Sequence, residues 1–300
     1  MSMTDRHLLV IGGGTAGSVL AARLSEQRTN TVTLLEAGPD DSVYDSIVLD
    51  PAHAADAWAG AAPIAPSPLL APTGPIPMFQ GRVLGGTSAV NGLATLRGLP
   101  VDYDGWEAMG FDGWGWRDVE ATFIAAETDA DFGDSPRHGS NGPLPVRRWR
   151  RDEMSRAQLA YLDGMIEIGE PTVADINDPT QLPGIGVFPV TIDEHDRRVS
   201  TSLAYLTSDV RARDNLTVRT GAEVATLQIV DGRAVGVELT DGEQIEADEI
   251  IVSAGAVWSP LPRCPPTAST DSATDSTASP HGNDRVPPPS SDASPSNHSI

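Results

Sequence analysis

The sequence contains no lysine, so its positive charge rests on arginine alone against a large excess of aspartate and glutamate, giving a formal net charge of −22 over 300 residues. Phosphate backbones are held by basic stripes, and none is present, so a nucleic-acid partner is excluded. The acidic excess is spread along the chain, as on a solvated surface. Cysteine is nearly absent: Cys264 stands alone, which excludes an internal disulfide and a thiolate metal cluster. A single thiol suits a reducing compartment. No apolar run is long enough to span a bilayer, and Met1 to His7 is too short and polar for a signal peptide. The expectation is a soluble cytoplasmic protein with no transmembrane segment, of a length that allows one large domain or two ordinary ones.

What is present begins with a strand. Residues 7–11 (HLLVI) form the near-continuous apolar run of a parallel strand covered on both faces. Gly12 to Gly14 make a turn, Ala16 to Gln27 has helical apolar spacing at Ala16, Leu20 and Leu24, and Thr31 to Leu35 is a second strand. Gly12, Gly14 and Gly17 thus give G-x-G-x-x-G between a strand and a helix. Gly12 permits the tight turn, Gly14 lets a pyrophosphate approach the backbone, and Gly17 lets the helix pack closely. Thr15 and Ala16 open the helix, whose unpaired N–H groups face the phosphates. Glu36, followed by Ala37, ends the second strand about 20 residues beyond the last glycine, where an acid accepts hydrogen bonds from the adenosine ribose. An isolated glycine pattern would be an ordinary turn; the whole series points to a dinucleotide. An acid at this position disfavours NADP, and FAD and NAD both stay open.

Further along, Pro51 to Met78 is rich in alanine and proline and is expected to run irregularly over the surface. Within Phe111 to Glu127 an aromatic turn feeds an amphipathic helix with Val119, Phe123 and Ile124 on one face. Tyr161 to Val190 mixes helical and extended patches. Leu216 to Ala254 reads as a β-meander, with Asp231–Gly232 and Asp241–Gly242 as hairpin turns and EIIVSAGA as a buried strand. After Pro260 the chain turns to Pro, Ser and Thr with almost no apolar residues, a composition that cannot offset the entropy of folding.

Residues 81–127, GRVLGGTSAVNGLATLRGLPVDYDGWEAMGFDGWGWRDVEATFIAAE, resemble the glucose–methanol–choline oxidoreductase family. The pieces are Gly81-Arg82, Gly85-Gly86-Thr87-Ser88, Asn91-Gly92, Arg97-Gly98, Asp102-Tyr103-Asp104 with Trp106, and Gly113-Trp114-Gly115-Trp116. His138-Gly139 with Gly142-Pro143-Leu144, and Arg198, Ser200-Thr201, Ala204-Tyr205-Leu206 and Asn215-Leu216, continue the likeness to about residue 260. The opening GGGTAGSVLAARLSE is similar to the branch associated with mycofactocin clusters. The resemblance implies an α/β fold: a Rossmann-like FAD-binding domain from 6–140 and 201–260, part of an antiparallel substrate domain at 141–200, and a disordered tail at 261–300. It implies FAD as cofactor and oxidation of a small-molecule alcohol by hydride transfer to the flavin; a dehydrogenase and an oxidase stay equally open, since the electron acceptor is unknown. By the same resemblance Arg82, Val83, Gly85, Gly86 and Ser88 wrap the pyrophosphate and flavin, the adjacent glycines forming an anion nest. Asn91, Gly92 and Ala94 lie beside the isoalloxazine, where Asn91 can offer both a donor and an acceptor. Val224 meets adenine through its backbone, and Ala254-Gly255 passes beneath the cofactor. Some relatives tether flavin through a histidine where this chain has Val90, so the FAD is expected to be non-covalent.

The likeness stops at Pro260. Gly255-Ala256-Val257 and Ser259-Pro260 begin the family's second signature, but LPRCPPTASTDS follows. The expectation is that the catalytic half is missing, that the chain as written is inert, and that residues from Leu261 are disordered or an out-of-frame translation. No catalytic residue and no metal ligand is assigned: His53, His138 and His195 match no catalytic position, and His281 and His298 lie in the tail. The competing readings are a non-catalytic FAD-binding remnant and a NAD-dependent dehydrogenase, which would carry no yellow colour.

Overall fold

Strand β1 (Arg6–Ile11) sends Leu8 and Val10 to one face and Leu9 and Ile11 to the other, and all four are buried. That two-sided burial is the period of a strand inside a layered sheet. The computed structural model describes residues 6–57, 64–71 and 74–260; the expectations for 261–300 lie outside them. β1 pairs in parallel with β2 (Asn30–Leu35) and with β12 (Glu249–Val252), and β2 pairs in parallel with β8 (Leu216–Arg219), giving the order β12-β1-β2-β8. Helix α1 (Thr15–Leu24) joins β1 to β2 and packs Ala21 and Ala22 on Leu8, Val10, Val32 and Leu34. It stops short of the expected Gln27 because the side-chain amides of Asn30 and Asn215 take the carbonyls of Leu24, Ser25 and Gln27.

The other face is covered by an antiparallel sheet of β9 (Val224–Val230), β10 (Arg233–Leu239) and β11 (Gln244–Glu246), whose Val237 and Leu239 pack against Leu9, Ile11 and Leu35. Asp231 (φ 49°) and Gly232 (φ 77°) are both left-handed, as a two-residue hairpin turn of matching twist demands. At the second Asp-Gly pair only Gly242 is left-handed (φ 90°), and its N–H donates to Leu239. The expected meander over 216–254 is therefore shorter than its pattern: β8 and β12 leave it to become the two edge strands of the parallel sheet.

The expected irregular run over 51–78 is also corrected. β3 (Ile64–Ala71) and β4 (Gly74–Gly81) form an antiparallel hairpin with Ile64 opposite Gly81 and Ala71 opposite Gly74. Its prolines fall in alternate register pairs, Pro66–Phe79, Pro68–Pro77 and Leu70–Pro75. In a two-stranded ribbon every second N–H points outward, so proline is tolerated there. A fourth sheet joins β5 (Glu127–Asp129) in parallel to β6 (Leu144–Arg148), and β6 antiparallel to β7 (Pro189–Val190). The expected aromatic-led helix is present as Trp116–Ala126 and runs straight into β5, while the mixed segment contributes a helix at Arg156–Glu167. Among the described residues no helix is long and apolar enough to cross a membrane.

Candidate functional site

The loops at the carboxyl ends of the parallel strands converge, which is where open α/β sheets place their ligands. Gly12 is left-handed (φ 93°), and a Cβ there would lie 2.7 Å from the Ser253 carbonyl oxygen just beyond β12. A Cβ on Gly17 would collide with the Gly12 carbonyl oxygen. The turn and the start of α1 therefore admit only glycine at these two points. No side chain caps α1, and Thr15 and Ala16 are exposed, so the first-turn N–H groups and the positive end of the helix are available to an anion. Glu36, at the end of β2, is 6% exposed. Its carboxylate accepts from the N–H of Gly13 and of Gly38, each at 2.8 Å. Burial pushes its pKa up against the pull of those two bonds. Beside it the segment leading into β9 runs antiparallel to Glu36–Gly38, with Ala222 donating to Glu36 and Gly221 to Gly38. This brings Ala37 and Val224 to the same end of the sheet.

The second glycine loop lies directly on the first. Gly85 donates its N–H to the Gly13 oxygen at 2.8 Å, and a Cβ on Gly86 would come 2.7 Å from the Gly14 Cα. Gly85 (φ 92°) and Gly86 (φ 55°) are both left-handed. Val83 is fully buried, and Ser88 donates to the Gly85 oxygen at 2.6 Å and accepts from the Thr201 N–H. Arg82 turns outward to pair with Glu223 at 2.7 Å, so it ties this loop to the start of β9. Beyond the loop Asn91 is half-buried, and Gly92 and Ala94 are exposed. Here the expectation for Asn91 is corrected. Its Oδ1 already accepts from the Leu93 N–H and from Arg198 Nη1, both at 3.0 Å, so only its amide donors are free. Gly255, at the end of the strand expected beneath a cofactor, is left-handed (φ 84°) and close to Gln80.

Four side chains, Tyr44, Arg198, Ser200 and Ser202, support the loop without having been assigned a role from the sequence. Tyr44 donates to the Leu84 oxygen, and burial pushes its pKa up to about 12 despite hydrogen bonds from Ser200 and Ser202. A Cβ on Gly85 would lie 2.6 Å from the Tyr44 hydroxyl and 2.8 Å from Ser202 Oγ, so these side chains form the wall behind the loop. Arg198 is 1% exposed and reaches from its own turn to Val48, Asn91 and Leu49. The signal for Ser200, Ser202 and Arg198 was only their place in a matched block; for Tyr44 there was none.

A second polar centre is built on β5, β6 and the loop after Phe132. His138 is buried and contacts Glu127 at 2.7 Å, Asp129 at 3.0 Å and Asp175 at 2.7 Å. Arg148 pairs with Asp129 and Asp175, and Arg97 pairs with Glu127 at 2.6 Å. Burial opposes charge on the imidazole, but the hydrogen bonds it donates to Asp129, Asp175 and Glu127 outweigh it and push its pKa up to about 10. Asp129 is held well below the usual carboxylate range: burial works against ionisation, and His138 and Arg148 overcome it. Glu127, Asp129 and His138 have ligand-type atoms within 4.8 Å of one another, yet arginines already fill the space around them. With His138 protonated the cations and carboxylates balance, the state in which buried charge is tolerated. None of the described histidines lies on the glycine loops: His7 bonds Thr33, His53 bonds Asp56, and His195 is exposed beside Glu194.

A family model described as GMC oxidoreductase matches residues 7–261. The 5-(hydroxymethyl)furfural oxidase of Methylovorus sp. (strain MP688) is 37% identical over 278 residues, covering 86% of this chain and 51% of that protein. Among solved structures, pyridoxine 4-oxidase from Mesorbium loti superposes with a TM-score of 0.79 at 31% identity, covering 86% of this chain and 51% of its own. A FAD-dependent oxidoreductase from Chaetomium thermophilum superposes with a TM-score of 0.70 at 26% identity, covering 84% and 46%. The chain thus spans about half the length of the relatives it matches.

Proposed function

This chain belongs to the GMC oxidoreductase family, whose cofactor is FAD, and we propose that it holds FAD non-covalently for oxidation of an alcohol CH–OH group. The observation that carries this reading is the backbone contact of two glycine loops at the uncapped start of α1, with buried Glu36 at the end of the neighbouring strand. A Cβ at Gly12, Gly17 or Gly86 would collide with backbone, and the exposed helix start offers donors to a pyrophosphate. The residues therefore fit the group. In the proposal Gly12, Gly14, Thr15, Ala16 and Gly17 hold the pyrophosphate with Arg82, Val83, Gly85, Gly86 and Ser88. Glu36 and Ala37 meet the ribose, Val224 the adenine, and Asn91, Gly92 and Ala94 the flavin ring. Residues 6–140 and 201–260 make the FAD domain and 141–200 part of the substrate domain.

When bound, FAD supplies the hydride acceptor. The chain's own residues orient it and exclude water; the base for the alcohol proton is supplied from outside the described histidines. The substrate class proposed first is a primary alcohol on a heteroaromatic ring, because both the furfural oxidase and the pyridoxine oxidase are named for such molecules. The cytoplasmic location belongs to the same proposal and rests on the single cysteine.

Protein reconstituted with FAD is expected to show flavin absorbance, and acid precipitation is expected to leave the colour in the supernatant, since Val90 cannot form a tether. Colour in the pellet overturns the non-covalent assignment, and absence of flavin bands overturns the whole reading. Anaerobic mixing with 5-(hydroxymethyl)furfural tests the reaction. Bleaching is expected only when a base such as imidazole is added; a protein that takes up no flavin but binds NADH would favour a nicotinamide-linked dehydrogenase.

A further inference from the structure

Arg198 is a cation without a counter-ion. It is 1% exposed, and among the described residues no carboxylate stands within ion-pairing distance. Its partners are neutral: Nε donates to the Val48 oxygen at 2.8 Å, and Nη1 donates to the Asn91 carbonyl oxygen at 2.6 Å and to Asn91 Oδ1 at 3.0 Å. Nη2 has no hydrogen-bond partner among the described residues. A buried guanidinium held on these terms is costly; its Nε ties down Val48, and both hydrogen bonds of its Nη1 fix one residue, Asn91. Asn91 Oδ1 receives the Leu93 N–H as well, and Leu93 is locked in a left-handed conformation (φ 64°) with its side chain buried against Val190 and Ile192.

Two donors aimed at one amide oxygen settle which way the amide faces. Exchanging the oxygen and nitrogen of Asn91 would set N–H against N–H twice, so the NH₂ group must occupy the other position. That NH₂ has no acceptor among the described residues, and Asn91 is half-buried beside the exposed Gly92. A Cβ added to Gly92 would meet nothing within 4 Å. The loop thus borders open space immediately beside Asn91.

We propose that Arg198 is a positioning residue that turns Asn91 into a dedicated hydrogen-bond donor for an acceptor on the bound flavin ring, a carbonyl oxygen or an unprotonated ring nitrogen. The proposal rests on the FAD reading above and narrows it, because the ring edge that meets Asn91 must accept a hydrogen bond, which excludes the ring's own N–H edge.

Asn91→Asp separates this role from a structural one, because the carboxylate gives Arg198 its missing counter-charge while removing the donor. Thermal unfolding of the apo chain is expected to rank Asn91→Asp above wild type, and Asn91→Leu below it. FAD titration followed by flavin fluorescence is expected to show about tenfold weaker binding for both variants, the factor carried by one hydrogen bond of typical net strength. A more stable protein that binds FAD less well is the signature, since a purely structural role predicts that stability and binding move together. If Asn91→Asp unfolds as early as Asn91→Leu, the link to Arg198 is wrong. If Asn91→Asp binds FAD as wild type does, the donor role is wrong and the FAD reading stands. If wild type itself binds no FAD, that reading fails and takes the donor assignment with it.

Discussion

Glu36 accepts two backbone N–H groups in a buried setting, so it serves the fold as well as any ligand. Glu36→Ala is therefore expected to lower apo stability by about 1–3 kcal/mol for each N–H left unpaired, measured by urea unfolding. It should weaken FAD binding by a further ~1.5–3 kcal/mol, the range for a hydrogen bond to a charged group. Loss of stability with an unchanged dissociation constant would confine Glu36 to the structural role. Its raised pKa has a consequence for pH: acidification protonates it earlier than an ordinary glutamate, so the contribution of the charged carboxylate to FAD binding fades as pH falls through that raised value. Two glycines give a matched pair of substitutions. Gly86→Ala must strain a left-handed residue and push a Cβ to 2.7 Å from Gly14, whereas Gly92→Ala meets nothing. Thermal unfolding should fall for the first and hold for the second; equal shifts would mean that the two loops do not touch as described.

Elements β5 and β6 depend on the His138 cluster, and its titration sets the stability of that sheet with a definite sign. The imidazole is raised from 6.5 to about 10 in the folded chain, so its contribution is fully present below about 6.5 and is lost as pH rises through about 10. Asp129 and Asp175 are depressed, so theirs is present above the ordinary carboxylate value near 3.8 and is lost on acidification. The melting temperature should peak between about pH 4 and 6.5, and His138→Gln should flatten the alkaline limb while costing about 3–5 kcal/mol, as breaking a buried pair does. An alkaline limb unchanged in the variant would assign it to other groups. Of these elements the sequence announces the ones made locally. The β1–turn–α1–β2 unit is legible because its strand, glycines and helix are adjacent, and Asp231–Gly232 is legible because a two-residue turn needs no distant partner. The placement of β8 and β12 is not, since a strand pattern does not say which edge it will join. The β3–β4 hairpin is hidden by prolines whose outward N–H positions emerge only from its register. Arg198 is illegible for a similar reason: arginine reads as surface, and its burial follows from contacts 107 and 150 residues away.

On the scale of the whole molecule, one surface is left apolar. The helices Pro100–Ala108 and Trp116–Ala126 bury no residue completely; their rings pack on each other, Tyr103 against Trp116 at 5.8 Å and against Phe123 at 5.7 Å, while Trp114 in the turn between them meets Trp106 at 5.9 Å. A groove of about 470 Å³ lined by Tyr103, Trp106, Trp114 and Phe123 opens among them, and Val101, Met109 and Phe111 nearby are each more than half exposed. Exposed apolar side chains grouped in this way drive association in water. The net charge of −22 opposes it, because like-charged chains repel over a Debye length that is ~30 Å at 0.01 M salt and ~8 Å at 0.15 M. The two effects predict a salt dependence opposite to that of an ion-paired complex. Light scattering should find the chain monodisperse at low ionic strength and increasingly associated as salt is added. The dye ANS should fluoresce with the monomer at every salt concentration. Replacing Trp106 and Trp114 together by serine should remove most of the dye signal and keep the chain monodisperse at 0.15 M salt, with the far-UV spectrum unchanged because neither ring is buried. Association that weakens with salt, or that survives the double substitution, would place the sticky surface elsewhere and leave these two helices without a part in it.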